Sequence, residues 1–516
     1  MILSHFAFPL EETSDKRNLY YRGEAGSVTQ EGLELLPEAS IRFDTYFNAF
    51  FYGAYVEHTS VQNVCVYLIT TGAIKIRLFT LDRKNREEVW LDMDVSGNRS
   101  VTVLPQYVLE DFPPGGALFL EMTAHSACAW LHSGWYEAEA DCQQVRIAAV
   151  ICTHHREEYV YRNLRNVREK ILENRDCPAC DDIDVLVIDN GKTIQPEEHP
   201  HISIFPNKNC GGSGGFTRGM LEAFQKRDRY THVLLMDDDI SFEPETLVRT
   251  IQFLKTAKPT ERPLCIGGQM LLENHPTVQF EAGSSYLNGR LSPHGHGADL
   301  SDRESLLANS HSPSVQYNAW WYCCLPLTAI EKYGFPLPLF IKTDDVEYGL
   351  RLKPQVVLLN GIGVWHTAFS DKYSPYLEYY IKRNELIVSA IHDCGAGVLP
   401  SLKELIRTTG RGWLAGEPRV IHFTSQACLD FLCGPDFLLQ TDGEALHMKL
   451  IAEGKTAPQS PIASLFKETL LLFSALFQLI FRYGRTRSAY QSRWRELTGE
   501  TFWRKYLDLT QEGTNA

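Results

Sequence analysis

Three segments of this sequence, residues 145–152, 183–188 and 232–236, are apolar at nearly every position. A strand with one wet face alternates apolar and polar residues, whereas an apolar run of this length predicts a strand covered on both faces. Helix-like segments at 159–174 and 219–227 separate the three runs. The region therefore predicts the βαβ rhythm of a doubly wound α/β sheet. In such sheets ligands bind beyond the carboxyl ends of the strands. Polar residues stand there in each case: Thr153-His154-His155-Arg156, Asp189-Asn190-Gly191 and Asp237-Asp238-Asp239. The expectation is one crevice that gathers all three.

The flanks differ in kind. Up to about residue 141, short alternating runs such as 64–69 and 74–81 are separated by Gly, Asn and Pro turns, which predicts an all-β sandwich or barrel. Trp130, Trp135 and Tyr136 can either pack its core or present rings to a sugar, and the core reading carries more weight. After about residue 399 the pattern becomes helical, with a loop-rich stretch expected at 410–418 and a break at 457–461. The expected division is a β-rich domain at 1–143, the α/β domain at 144–399 and a helical domain at 400–516.

Composition narrows the partners. A formal net charge of −14 argues against nucleic acid as a general partner. Thirteen cysteines, mostly single within apolar strands, suit a reducing, cytoplasmic setting. Cys177 and Cys180 form a Cys-x-x-Cys that lacks the second pair a zinc site needs. No basic, apolar, cleavable leader is read at the N-terminus, so export is not expected. The most apolar window, 465–481, is interrupted by Lys467, Glu468, Ser474 and Gln478, and it reads as an amphipathic or buried helix rather than a spanning one. Arg482, Arg485, Arg487, Arg493 and Arg495 follow, among Tyr483, Tyr490 and Trp494. That combination suits peripheral contact with an anionic membrane face, pairing with a second subunit in a homo-oligomer, or a core helix with a solvated end.

Four motifs carry chemistry. Adjacent carboxylates at 237–239 repel one another unless a cation neutralises them, and Mg²⁺ or Mn²⁺ favours such oxygen ligands; a solvated acidic turn is the plain alternative. The tract Asn207-Lys208-Asn209-Cys210-Gly211-Gly212-Ser213-Gly214-Gly215-Phe216 precedes a helix expected to begin near Thr217, where backbone N–H groups can approach a diphosphate. It matches neither a P-loop nor a dinucleotide fingerprint. Thr343-Asp344-Asp345-Val346-Glu347 reads as a capped helix start, or as a place where one carboxylate, preferably Asp345, takes a proton from a hydroxyl. Trp365-His366 ends an apolar strand, where an imidazole can complete a carboxylate metal site.

In this order, Thr-x-x-Arg, Asp, Asn-x-Gly-Gly-Ser-Gly-Gly-Phe, Asp-Asp-Asp, Asn-x-Trp-Trp, Asp-Asp-x-Glu and Trp-His, the chain resembles the polymerising galactofuranosyltransferases of glycosyltransferase family two, which have a GT-A (Rossmann-like) catalytic domain between a β-rich and a helical domain. The motif match spans roughly residues 145–383. The resemblance implies that Thr153, Arg156 and Asp189 hold uridine diphosphate, and that Asn209, Gly211 and Gly212 position the donor. It implies Asp237, Asp239 and His366 as ligands of Mn²⁺ or Mg²⁺, with Asp237 and Asp238 at the nucleotide. Asp345 would be the base, Asp344 its partner, Trp320 and Trp321 a sugar platform, and Glu281 an acceptor contact. His154-His155 departs from the usual aromatic and Asn of the first loop. The implied reaction is inverting transfer of galactofuranose from UDP-galactofuranose to a growing, lipid-linked cell-surface glycan at the cytoplasmic membrane face. Another nucleotide sugar (rhamnose, glucose or N-acetylglucosamine) and a non-catalytic carbohydrate-binding protein remain the alternatives. A nucleotidyltransferase is disfavoured, since no basic cluster stands ready for a triphosphate.

Overall fold

The computed structural model describes residues 1–9, 16–287, 290–310, 314–368, 373–392, 398–455 and 461–509. The apolar runs become neighbouring strands. The central sheet runs in the order Ile202–Pro206, Ile183–Asp189, Ile147–Thr153, His232–Asp237, Tyr322–Pro326, Leu264–Leu272, Gln355–His366 and Ser241–Phe242. The first four are mutually parallel, and Tyr322–Pro326 enters antiparallel between His232–Asp237 and Leu264–Leu272. Register sets Thr153 opposite Asp189 and Cys152 opposite Asp237, so the polar strand ends share one edge of the sheet. This is the GT-A arrangement of an α/β sheet with its ligand edge at the strand carboxyl ends.

The N-terminal region forms a separate nine-stranded antiparallel sheet. Its longest strand, Asn63–Leu81, alternates buried and half-buried residues and pairs with Glu87–Val103, Ala117–Ala124 and Ala129–Glu137. Tyr136 points into the core against Phe50, while Trp135 is half-buried and stacked on Tyr67. The two sheets are fused rather than tethered. Arg249, nearly buried on the helix Pro244–Thr256, donates to the carbonyls of His5 (2.9 Å) and Phe47 (2.6 Å). Phe47 also meets the ring of Trp365, the neighbour of His366, so the β domain backs a strand of the site.

The C-terminal region is helical, and one expectation changes there. Helix Val398–Leu414 runs through Gly410 and Gly412, so the loop-rich stretch expected at 410–418 shrinks to the connection before Pro418–Leu432. The break expected at 457–461 lies, up to its last residue, outside the described residues. The 37-residue helix Pro461–Leu497 follows, and then Glu500–Tyr506 returns to the α/β domain. Trp503 is fully buried there and donates to the Pro336 carbonyl at 2.8 Å.

The glycine tract also differs from its reading. The helix begins at Gly211, not near Thr217, so the glycines form its first turns. Gly211 needs its positive φ of 70°, and a side chain there would meet the Phe340 carbonyl. Farther along, a Cβ on Gly219 would stand 2.2 Å from Val150 of the central strand. Helix and sheet approach that closely only because no side chain intervenes. Gly219→Ala should therefore destabilise the fold by roughly 1–3 kcal/mol, read as a lower midpoint in urea unfolding; an unchanged midpoint would mean that Val150 moves aside freely.

Candidate active site

Asp237, Asp239 and His366 place a ligand atom each within 4.8 Å of one another at the sheet's carboxyl edge. His366 Nδ1 faces the Thr367 carbonyl at 2.6 Å, and Nε2 faces Asp239 Oδ1 at 3.1 Å. An Nδ1–H donating to the carbonyl turns the Nε2 lone pair toward a carboxylate, and two acceptors at that distance need a positive charge to reconcile them. Two carboxylates and an imidazole are a suitable donor set for Mn²⁺, and for Mg²⁺ with added water or phosphate oxygens.

Asp238 turns away from this cluster. Its carboxylate accepts from Thr153 Oγ1 at 2.7 Å and Arg156 at 3.1 Å, and Arg156 also reaches Asp239 at 2.6 Å. Burial raises the Asp238 pKa, with Arg156 and Thr153 opposing the rise. Thr153 and Arg156 are thus engaged with the acidic triplet, the arginine remaining 41% exposed at its side chain. Asp189 is buried, and its two oxygens accept the backbone N–H groups of Gly191, Thr193 and Ile194, so it shapes the loop after its strand.

At the glycine helix, Asn209 Oδ1 accepts the Gly211 N–H, and its amide donates to Glu444 Oε1 at 3.3 Å. A Cβ on Gly212 would stand 4.0 Å from Asp344 Oδ2. The Asp344 carboxylate therefore lies beside the first turn of that helix. Cys152, half-buried beneath, feels the charges of Asp238, Asp237 and Asp344, which ties the triplet and the second acidic motif to one neighbourhood.

The second motif opens helix Asp344–Leu352. Thr343 does not cap it as expected: its φ is 68°, outside the extended geometry of an N-cap, and its side chain makes no capping bond. Burial and then the neighbouring charge of Asp345 push the Asp344 carboxyl up. Burial also raises Asp345, less strongly, because the Val346 N–H and Lys342 favour its charged form. Glu347 belongs to the scaffold. Fully buried, it would rise by desolvation, but Arg351 and His392 outweigh burial and hold it down at about 2.

Trp320 and Trp321 cannot form one platform. They occupy the turn before the strand Tyr322–Pro326, and the two rings lie in different cores. Trp320 meets Phe216 and Tyr348 edge-on, whereas Trp321 donates to the Gly268 carbonyl at 2.9 Å on the other side of the sheet. Only Trp320 adjoins the glycine helix and the helix of Asp345. Glu281 is buried, and its Oε1 has no hydrogen-bond partner among the described residues. Burial, with the charge of Asp345 nearby, pushes its pKa up to about 8. Reading the motifs missed Lys342, Tyr317 and Glu444: Tyr317 feels Asp345 and Glu281, and Glu444 reaches Asn209 from 235 residues away.

This edge has the makeup of a GT-A glycosyltransferase centre. The family model of the galactofuranosyltransferase 2 N-terminal domain matches residues 3–138, and that of glycosyl transferase family 2 matches residues 148–260. The galactofuranosyltransferase GlfT2 of Mycobacterium tuberculosis is 29% identical over 472 residues, covering 84% of this chain and 72% of its own. The GlfT2 of Mycolicibacterium smegmatis is 29% identical over 465 residues, covering 83% and 70%. Among solved structures, a mannosyltransferase from Pyrobaculum calidifontis aligns at a TM-score of 0.32 and 13% identity, covering 66% of this chain and 88% of its own. The chain is a glycosyltransferase: the family 2 model matches part of its α/β domain, and the chain is similar along most of its length to galactofuranosyltransferases.

A carboxyl with a raised pKa is neutral below that pKa, so Glu281 carries a proton at pH 7 and an amide can imitate it. Glu281→Gln should keep kcat/KM within about threefold, while Glu281→Ala should lose roughly 10–100-fold through loss of the acceptor contact that the resemblance implies. Steady-state kinetics with varied acceptor checks this, and an equal loss in both variants would show that Glu281 acts ionised.

Proposed function

We propose that the chain transfers galactofuranose from UDP-galactofuranose to a hydroxyl of a growing, lipid-linked glycan at the cytoplasmic membrane face, with inversion at the transferred carbon. The observation that carries this reading is the convergence of the Asp237–Asp239–His366 cluster and the half-buried Asp344–Asp345 pair around Cys152 and the glycine helix. The sugar is argued from the two relatives, both named galactofuranosyltransferases.

Asp237, Asp239 and His366 would hold Mn²⁺ or Mg²⁺, which offsets charge on the departing diphosphate. Arg156 reaches over the same acids and can meet the diphosphate, and the N–H groups at Gly211 and Gly212 favour negative charge at a helix N-terminus. Asp344, raised further than Asp345, keeps a proton within the pair and leaves Asp345 as the ionised member. Asp345 then accepts the proton of the attacking hydroxyl. Neutral Glu281 can hydrogen-bond that hydroxyl's sugar ring, and Trp320 borders the reacting groups. A single displacement assisted by one base accounts for inversion and requires no covalent intermediate.

The test is turnover on a panel of UDP and dTDP sugars with a synthetic galactofuranosyl acceptor: UDP-galactofuranose should be the preferred donor, and preference for glucose, rhamnose or N-acetylglucosamine would overturn the sugar assignment. Asp345→Asn should lower kcat by on the order of 10²–10⁴ while UDP affinity stays near wild type. A base must be ionised to act, and the Asp345 pKa is raised, so kcat/KM should fall on the acid side with a midpoint above the ordinary aspartate range. A pH profile without that limb would remove Asp345 from the role.

A further inference from the structure

The chain enters helix Asp344–Leu352 through a turn that no glycine eases. Phe340, Lys342 and Thr343 have φ of 74°, 66° and 68°, in the left-handed region that residues other than glycine seldom adopt, and Thr343 is β-branched. Nowhere else among the described residues do three such non-glycine residues fall within four positions. A strained stretch of this kind persists only where its surroundings over-determine it. On one side the brace is the glycine helix: the Ser213 N–H donates to the Phe340 carbonyl at 3.1 Å, and Ser213 Oγ donates to the Leu337 carbonyl at 2.6 Å.

On the other side the brace is a single amide. Asn384, fully buried on helix Leu377–His392, donates from Nδ2 to the carbonyls of Lys342 at 2.7 Å and Ile341 at 2.9 Å. Its Oδ1 accepts from Arg383 Nε at 3.0 Å, which settles the way the amide faces. The Leu339 carbonyl, 3.3 Å from the same Nδ2, is served by the Arg383 guanidinium at 2.7 Å, and that guanidinium lies over the rings of Tyr379 and Tyr380. Two hydrogens of one side chain thus hold the two successive peptide groups that lead into Thr343. The Thr343 carbonyl then accepts the Glu347 N–H at 2.9 Å and the helix begins. Lys342, carried by the same turn, acts through its charge on both Asp344 and Asp345.

We propose that Asn384 is a positioning residue for the transfer step: by holding the left-handed turn at Lys342 and Thr343, it sets the direction in which Asp345 meets the acceptor hydroxyl. The inference rests on Asp345 as the base. Asn384 is fully buried, so it acts only through the backbone it grips. Without its amide, two carbonyls lose their donors, and the turn relaxes toward the φ that lysine and threonine prefer. Asp345 and Lys342 then shift together. The ligand cluster of Asp237, Asp239 and His366 stands on other elements of the sheet and stays in place.

The experiment is steady-state kinetics of Asn384→Ala, of Asn384→Ala combined with Thr343→Gly, and of Asp345→Asn, each well below its thermal midpoint, with UDP affinity in the presence of Mn²⁺ measured by calorimetric titration. Asn384→Ala should lower kcat roughly 10–100-fold while UDP affinity stays within about threefold of wild type. Lost stability alone does not produce that split, since the molecules still folded would turn over as wild type. Glycine adopts positive φ without strain, so adding Thr343→Gly should raise the thermal midpoint and recover kcat by roughly threefold or more, still short of wild type. If Asn384→Ala alone does not fold, the double variant carries the same test, with kcat below wild type at unaltered UDP affinity. Wild-type kcat in Asn384→Ala, an equal loss of UDP affinity, or no gain from the glycine, found while Asp345→Asn is impaired, would overturn this inference alone. Wild-type kcat in Asp345→Asn would overturn the base assignment and this inference with it.

Discussion

Three consecutive carboxylates at the end of a buried strand repel one another, and most of the site answers that repulsion. The strand His232–Asp237 cannot withdraw, because it is paired on both sides and covered on both faces. The acids are divided instead. Asp238 is drawn to Thr153 and Arg156 of the neighbouring strand's end, while Asp237 and Asp239 stay with His366. Low local dielectric makes each of these pairings stronger than it would be in water. The same low dielectric leaves Asp237 and Asp239 poised for a cation.

The surrounding architecture holds this division in place. The N-terminal β domain supports the strand of His366 through Phe47 and Arg249, and the glycine helix is pressed against Val150 and Cys152 because it lacks side chains there. On the far side, Glu347, paired with Arg351 of its own helix, locks helix Asp344–Leu352 to Leu377–His392 through His392, which fixes the direction in which Asp345 leaves the backbone. Helix Gly443–Lys455 then reaches back with Glu444 to Asn209. Regions far apart in the chain thus meet at one edge of the sheet.

Much of this was legible in sequence for a physical reason: strands buried on both faces are apolar throughout, so polar residues at their ends stand out. What was not legible turned on geometry that composition hides. Trp320 and Trp321 look like a pair, but from the turn before Tyr322–Pro326 their rings enter different cores. Glycines at 211–215 read as a loop because glycine is a poor helix former, whereas close packing on Cys152 favours them inside the helix. The hold of Asp189 on the backbone of its own loop was equally invisible in sequence. Periodicity assigned the 465–481 helix an apolar face but could not say whether that face was covered.

The account rests on a cation at Asp237, Asp239 and His366. Calorimetric titration of the protein with Mn²⁺, with and without UDP, tests this most directly, alongside Asp239→Asn and His366→Ala checked for folding by circular dichroism. The account predicts a single Mn²⁺ site that UDP tightens, lost or strongly weakened in both folded variants. Unaltered Mn²⁺ binding in the variants, or UDP affinity indifferent to Mn²⁺ and chelator, would contradict it.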